Sequence, residues 1–88
     1  MTYSVDYTKK VLKDLKRLDS QTGKLILSWI EKNLIRCSDP RSYGKELKGR
    51  SRDEWCYRVG HYRILANIRD DKILILFLKI GHRHKICD

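Results

Sequence analysis

Two segments in the first half of the chain carry apolar residues at helical spacing. The first segment places them at Val11, Leu12, Leu15 and Leu18, and the second at Leu25, Ile26, Trp29, Ile30 and Leu34. Because an α-helix returns to the same face every 3.6 residues, each pattern predicts a helix with one buried face. Asp19 or Ser20 supplies a cap for the second helix, and Pro40 ends it near Cys37. The short connection predicts an antiparallel helix hairpin.

Four other segments carry strand signals. They are residues 2–7, 55–59, 62–69 and 73–80. The last three are separated by Gly60-His61 and Asp70-Asp71, which are short enough to require an antiparallel meander. Residues 73–80 are apolar on both faces, which predicts a central strand. We therefore expect a single α+β domain over residues 1–88, with an N-terminal strand, the helix hairpin and a C-terminal antiparallel meander that form one sheet.

The charge of the chain indicates an anionic partner. Its 20 Lys and Arg against 11 Asp and Glu give a net charge of +9, and the excess is concentrated between positions 41 and 63. Such an excess attracts nucleic acid or an acidic protein. No apolar run approaches the roughly 20 residues of a membrane-spanning helix, and the N-terminus lacks a secretory pattern. We therefore expect a cytoplasmic protein that does not contact a membrane.

The cysteines indicate neither a disulfide framework nor a metal site. Cys37, Cys56 and Cys87 are odd in number and share no CxxC spacing. Cys87 forms only a loose cluster with His82 and His84, whereas structural zinc normally takes four ligands with paired spacings. We expect no metal and no cofactor.

Three arginines lie in or beside strand-forming sequence. Arg58 and Arg63 flank the predicted Gly60-His61 turn, and Arg83 follows Gly81 after the last strand. Alternation along residues 62–69 assigns the apolar set to the core and Arg63 to the open face. A guanidinium is planar and permanently charged and binds phosphate through paired N–H donors. If strand pairing brings these arginines together, they would form a site for a polyanion. The alternative is that arginines fall on strands by chance in so basic a chain.

Proton transfer and RNA contacts need other side chains, because guanidinium scarcely releases its proton. Histidine is the natural acid or base near neutral pH, and His82 beside Arg83 is favoured over His61 and His84. Tyr57 could stack on a base or pack in the fold. The candidates for RNA contacts are Lys45, Lys48, Arg50, Arg52, Tyr57 and Lys85.

Three motifs give the chain a family resemblance over essentially its whole length. The runs Leu47-Lys48-Gly49, YRVGHYRI at 57–64 and IGHR at 80–83 resemble those of the RelE/ParE superfamily of bacterial toxins. The resemblance implies a toxin neutralised by an acidic, RelB-like antitoxin, in a complex that binds operator DNA through the antitoxin. The RelE branch cleaves mRNA in the ribosomal A site, whereas the ParE branch inhibits DNA gyrase and lacks the nuclease residues.

The resemblance also implies roles for the arginines. Arg63 matches the arginine that holds the scissile phosphate, and Arg83 matches the one that assists departure of the leaving oxygen. Arg58 falls where RelE carries one of two functional lysines, and Cys87 replaces a terminal tyrosine that stacks on a base. We expect a ribosome-dependent, metal-independent mRNA endonuclease that uses the RNA 2′-hydroxyl. The alternatives are a ParE-like gyrase inhibitor and a catalytically weak antitoxin-binding module that acts in operon autoregulation.

Overall fold

A computed structural model describes residues 1–47 and 53–82, where two helices cover one face of a five-stranded sheet. The elements follow one another as β1 Ser4–Tyr7, α1 Lys9–Arg17, α2 Ser20–Asn33, β2 Lys45–Glu46, β3 Glu54–Val59, β4 Tyr62–Arg69, a 3-10 turn Asp70–Lys72 and β5 Leu74–His82. This is the predicted α+β fold. Neither helix in the described part of the chain has the length and apolar character needed to cross a membrane.

The sheet has the strand order β1-β5-β4-β3-β2. Strands β3, β4 and β5 form the predicted antiparallel meander, and β5 is an interior strand as expected. Strand β1 lies parallel to β5, with Ser4 opposite Leu74 and Tyr7 opposite Phe77. The sheet is therefore mixed, and the first and last strands of the described chain are neighbours.

Side-chain caps start both helices. The Thr8 hydroxyl accepts the Val11 N–H at 3.2 Å, and an Asp19 carboxylate oxygen accepts the Thr22 N–H at 3.1 Å. Each bond satisfies an amide that the first helical turn leaves without a backbone partner.

Helix α2 ends at Asn33, before the predicted stop near Cys37. Arg36 lies in the left-handed region with φ 66°, its N–H donates to the Tyr3 carbonyl, and the Tyr3 N–H donates to the Cys37 carbonyl. The chain leaves the helix because this backbone pairs with the start of β1.

The core lies between the helices and the inner face of the sheet. Its fully buried side chains come from both layers and include Val11, Ile26, Ile30, Leu34, Ile64, Ala66, Ile75 and Phe77. Of the positions predicted for the inner face of β4, Ile64, Ala66 and Ile68 are buried and Tyr62 is partly buried against the core, which confirms the alternation assigned to that strand. The opposite set, with Arg63, points away from the helices.

Candidate functional site

A cleft of about 290 Å³ lies on the face of the sheet away from the helices. Its lining residues are Gly44, Lys45, Cys56, Arg58 and Arg63. Cys56 and Arg58 alternate along β3 with core residues, while Lys45 is opposite Cys56 and Arg63 is opposite Arg58 in the strand ladders. Cross-strand partners share a face of a sheet, so three strands bring three cations together.

Arg58 and Arg63 are direct cross-strand partners. Arg58 is exposed and Arg63 is half-buried. Like charges placed opposite each other on neighbouring strands destabilise a sheet, so folding alone does not favour this pair. A phosphate between the two guanidinium groups would offset the repulsion and accept hydrogen bonds from both forks. The structure thus brings together two of the three arginines that the sequence predicted to form an anion site, Arg58 and Arg63.

The loop before β2 is held tightly against β3. Gly44 has φ 75°, and a Cβ at this position would collide with the carbonyl oxygen of Cys56. The Trp55 indole N–H donates to the Tyr43 carbonyl on the same loop. This close approach fixes Lys45 over the cleft, which is the position expected of a residue that contacts a bound anion.

Arg41 anchors the same loop from its other end. Its Nη1 lies 3.0 Å from Asp70 Oδ1, and its guanidinium carbon is 5.9 Å from the centre of the Trp55 ring. The Tyr3 hydroxyl donates to the same Asp70 oxygen at 2.7 Å. The hydrogen bond to Asp70 raises the pKa of Arg41. Because its guanidinium joins the loop to Asp70 and to the Trp55 ring, Arg41 has a structural role. This role was not predicted from the sequence, although Arg41 directly follows Pro40 at the start of the loop.

The structure corrects the assignment of Tyr57 to RNA contacts. Its side chain is fully buried, and its hydroxyl donates to the Pro40 carbonyl at 2.6 Å. The ring lies 5.7 Å from Trp29 inside the core. Burial raises the pKa of Tyr57, which keeps the phenol protonated. Tyr57 therefore follows the packing alternative, because alternation along β3 turns it toward the helices.

His82 lies at the end of β5 and does not line the cleft. It is the cross-strand partner of Tyr62, and the centres of those rings are 5.7 Å apart. Its ring also stacks on that of His61 at 6.4 Å. Gly81, by contrast, is opposite Arg63. The imidazole of His82 thus lies on the Tyr62 side of the sheet end, across the strand from the arginine pair.

Several predicted site residues lie outside the described residues. They are Lys48, Arg50, Arg52, Arg83 and Lys85. Of the loop cations proposed for RNA contacts, Lys45 is the one that the structure describes, and it lines the cleft.

The cysteines differ from expectation at one position. Cys56 is in a disulfide bond, whereas Cys37 is a free thiol. Burial raises the pKa of Cys37, which keeps that thiol protonated. The expectation that cysteines form no disulfide is therefore wrong for Cys56. Across residues 1–47 and 53–82, no three His, Cys, Asp or Glu side chains are grouped so that they could hold a metal ion.

Two residues that line the cleft were not among the predicted site residues. The sequence signal for Gly44 was its position as a glycine inside a basic loop. The signal for Cys56 was its spacing of two residues from Arg58, which places both on the same face of β3. Their contribution is shape, because Gly44 permits close approach and Cys56 is almost fully buried in the floor.

Comparisons with known proteins agree on one family. Residues 5–86 match the family model of the ParE toxin of type II toxin-antitoxin systems, parDE. Toxin RelG of Mycobacterium tuberculosis (strain ATCC 25618 / H37Rv) is 28% identical over 86 residues, which cover 98% of this chain and 97% of RelG.

Two solved toxin-antitoxin complexes share the fold. The RelBE2 complex from Mycobacterium tuberculosis gives a TM-score of 0.80 at 27% identity, over 94% of this chain and 100% of the matched chain. The RelB-RelE complex from Methanococcus jannaschii gives a TM-score of 0.68 at 28% identity, over 93% and 94% of the two chains. With the family model matched over nearly the whole chain, this protein belongs to the RelE/ParE superfamily and is the toxin of a toxin-antitoxin system.

Proposed function

We propose that this toxin is a ribosome-dependent endonuclease that cleaves mRNA in the A site. The observation that carries the proposal is the arginine pair, Arg58 opposite Arg63, in a cleft that also contains Lys45. Three cations around one small cleft suit a phosphodiester, whose negative charge grows as the reaction proceeds. Inhibition of translation follows because the cut mRNA cannot be read further.

The reaction that fits these residues needs no metal. The 2′-hydroxyl of one nucleotide loses its proton and attacks the adjacent phosphorus, and the bond from phosphorus to the 5′-oxygen breaks. The products are a cyclic phosphate and a 5′-hydroxyl that has gained a proton. Arg63 and Arg58 would stabilise the crowded phosphate, and Arg83 would assist the leaving oxygen.

His82 is our proposed donor of the proton to the leaving oxygen. Because its ring lies on the Tyr62 side of the sheet end, that oxygen must sit at the edge of the cleft and not on its floor. A site with so few proton-transfer groups depends on its substrate being held in place, and the ribosome would supply that positioning. The loop and C-terminal cations Lys48, Arg50, Arg52 and Lys85 would contact RNA phosphates.

The partner implied by the relatives is an antitoxin of the RelB type, because the two solved structures described above are toxin-antitoxin complexes named RelBE2 and RelB-RelE. The net charge of +9 favours an acidic partner. Complementary charge on that partner would accelerate its association with the toxin. The complex would bind operator DNA through the antitoxin, and toxin and ribosome would meet in the cytoplasm.

A second function is favoured by the matched family model, which is that of ParE toxins. In that case the toxin would bind and inhibit DNA gyrase, and the cleft would serve no reaction. The pair of Arg58 and Arg63 favours the nuclease function over gyrase inhibition. Two like charges opposite each other destabilise the sheet, and a gyrase inhibitor has no need of them.

One purified preparation decides between these functions. Toxin separated from its antitoxin is added to ribosomes programmed with a defined mRNA, to the same mRNA without ribosomes, and to a gyrase supercoiling reaction. We expect cleavage at the A-site codon, little cleavage of naked mRNA and normal supercoiling. Inhibited supercoiling with intact ribosome-bound mRNA would overturn the proposal and support the gyrase inhibitor.

A further inference from the structure

Asp14 is a buried carboxylate with no part in the cleft itself. It lies on α1, its exposed fraction is 7%, and it is the buried charged side chain of residues 1–47 and 53–82. Its Oδ2 accepts the backbone N–H of Ile80 at 3.0 Å, and its Oδ1 pairs with Lys10 Nζ at 2.6 Å. A helix carboxylate thus forms a hydrogen bond with the backbone of an interior strand.

The position of Asp14 follows from where β1 stops. The parallel pairing covers β5 from Leu74 to Phe77, and the chain then turns into α1 at Thr8, whose hydroxyl donates to the Phe77 carbonyl at 3.0 Å. Strand β5 continues to His82, so its outer edge extends beyond its neighbour. A buried backbone N–H needs a partner, and Asp14 provides the oxygen that a longer β1 would have supplied.

We propose that Asp14 is a positioning residue for the phosphate cleft, because it fixes the end of β5 against α1. This inference rests on the proposed nuclease function. Ile80 immediately precedes Gly81, which is opposite Arg63, and the IGHR motif continues to Arg83. Through the Ile80 amide, helix α1 holds the strand that lies beside Arg63 and leads to the third arginine.

The chemistry of the site favours a specific role over simple packing. An apolar side chain at this place on the inner face of α1 would fill the space without the cost of burying a charge. Burial raises the pKa of Asp14, but the Ile80 N–H and the Lys10 ammonium lower it more strongly, so its pKa lies below the ordinary value. The ionised carboxylate is the stronger acceptor for a backbone N–H.

The hydrogen bond can be tested in the unaltered protein. In ¹⁵N-labelled toxin, the amide resonance of Ile80 should move as pH is lowered, with a midpoint below the ordinary pKa of an aspartate of about 3.9. The Ile80 amide should also be protected from hydrogen exchange. An Ile80 resonance that does not follow the titration of Asp14 would overturn the inference, whether or not the toxin cuts RNA.

Three variants test the positioning role. Asp14→Asn keeps an oxygen acceptor, Asp14→Ala removes it, and Lys10→Gln removes the ion pair alone. On programmed ribosomes we expect Asp14→Ala to lose about 10- to 100-fold in kcat with KM little changed, since small misplacements at a reacting centre have effects of this size. Asp14→Asn should restore most of that loss, and Lys10→Gln should cleave like the parent.

The Gly81 amide and the Arg63 side-chain N–H resonances give a readout that does not depend on cleavage. They should shift in Asp14→Ala and remain in place in Lys10→Gln. Unchanged resonances and unchanged kcat in folded Asp14→Ala would overturn the inference. If the parent cuts no ribosome-bound mRNA but these resonances shift as expected, the proposed function fails while the control of the β5 end by Asp14 stands.

Discussion

Arg58 and Arg63 face each other across the β3–β4 ladder, so two permanently charged guanidinium groups share one face of the sheet. The neighbouring pair on that face, Cys56 opposite Leu65, carries no charge, so the repulsion is local to the cleft. Proteins commonly keep such unfavourable arrangements where a ligand needs them. The stability of the free toxin should therefore improve when the pair is broken.

We predict that Arg58→Thr stabilises the free toxin by about 0.2–1 kcal/mol, the usual size of a cross-strand charge effect. Threonine keeps the strand preference of the position. Urea unfolding measures the change. Lys79→Thr is the matched control, because Lys79 is opposite Leu65 and meets no like charge there. Equal or lower stability of Arg58→Thr relative to that control would contradict the repulsion.

Arg63→Ala should reduce cleavage on ribosomes by roughly 10²–10³-fold, the typical effect of removing one preorganised donor at a developing charge. Arg83→Ala should have a similar effect. Arg69→Ala is the matched control: Arg69 lies on the same strand and the same face as Arg63 but at its far end, where it is opposite Leu74. Growth arrest and single-turnover cleavage measure the effect, with circular dichroism to verify folding. If folded Arg63→Ala remains as toxic as Arg69→Ala, the site is elsewhere.

Alanine substitutions at two glycines with positive φ, Gly44 and Gly60, distinguish the cost of backbone strain from the cost of steric crowding. Gly60 has φ 60° with no atom within 4 Å of an added Cβ, whereas at Gly44 that atom would meet the Cys56 carbonyl. Gly60→Ala should lose about 1 kcal/mol of stability from its left-handed backbone alone. Gly44→Ala should lose more and should also cleave more slowly, because the loop that carries Lys45 must move. Equal losses for the two variants in thermal unfolding would refute the close packing of this loop.

Asp14 should make the stability of the toxin depend on pH in the acid range. Because its pKa is lowered in the folded state, its contribution is complete above the unfolded pKa of about 3.9 and is lost as pH falls through the folded value. The difference in unfolding free energy between the parent and Asp14→Asn should be constant from neutral pH to about 5 and should shrink below 4. Asp19, whose pKa is also lowered, is present in both proteins and cancels. A difference that does not change with pH would show that Asp14 is not ionised in the fold.

Tyr57→Phe should destabilise the fold by about 1–3 kcal/mol, because the buried Pro40 carbonyl loses its donor. Cleavage and RNA binding by the folded variant should be unchanged, since the ring lies in the core. Tyr43→Phe is a suitable control, because Tyr43 is an exposed tyrosine nearby. Weaker RNA binding by folded Tyr57→Phe would restore the role first assigned to this residue.

The periodic segments of the chain were predictable because local patterns decide them. Alternation along β4 assigned Ile64 and its neighbours to the core and Arg63 to the open face, and both helices formed where apolar spacing required. Tyr57 shows where such reasoning fails. Its hydroxyl partner is the Pro40 carbonyl, 17 residues away, and strand sequence alone does not show that a buried partner exists.

The end of β5 was harder to predict because its register depends on an irregularity. Pairing with β4 shifts between Leu65 and Ala66, which are opposite Lys79 and Phe77. Without that shift Ile80 would be opposite Arg63, whereas with it Gly81 is. Asp14 was not predicted as a buried residue. It lies three positions after Val11 and so shares the buried face of α1, but its partner Ile80 is 66 residues away and nothing local identifies it.

The parallel pairing of β1 with β5 bears on how the toxin is synthesised. Ser4 finds its neighbour only when Leu74 has been made, whereas β3, β4 and β5 are joined by short turns and can pair as they emerge. A nascent chain that has exposed β1 and both helices therefore has a strand without a sheet to join. Closing so long a loop costs conformational entropy, so we expect this pairing to form late in folding. The toxin can therefore fold completely only after nearly all of the described sequence has been translated. A truncated product lacks the fold that the cleft requires.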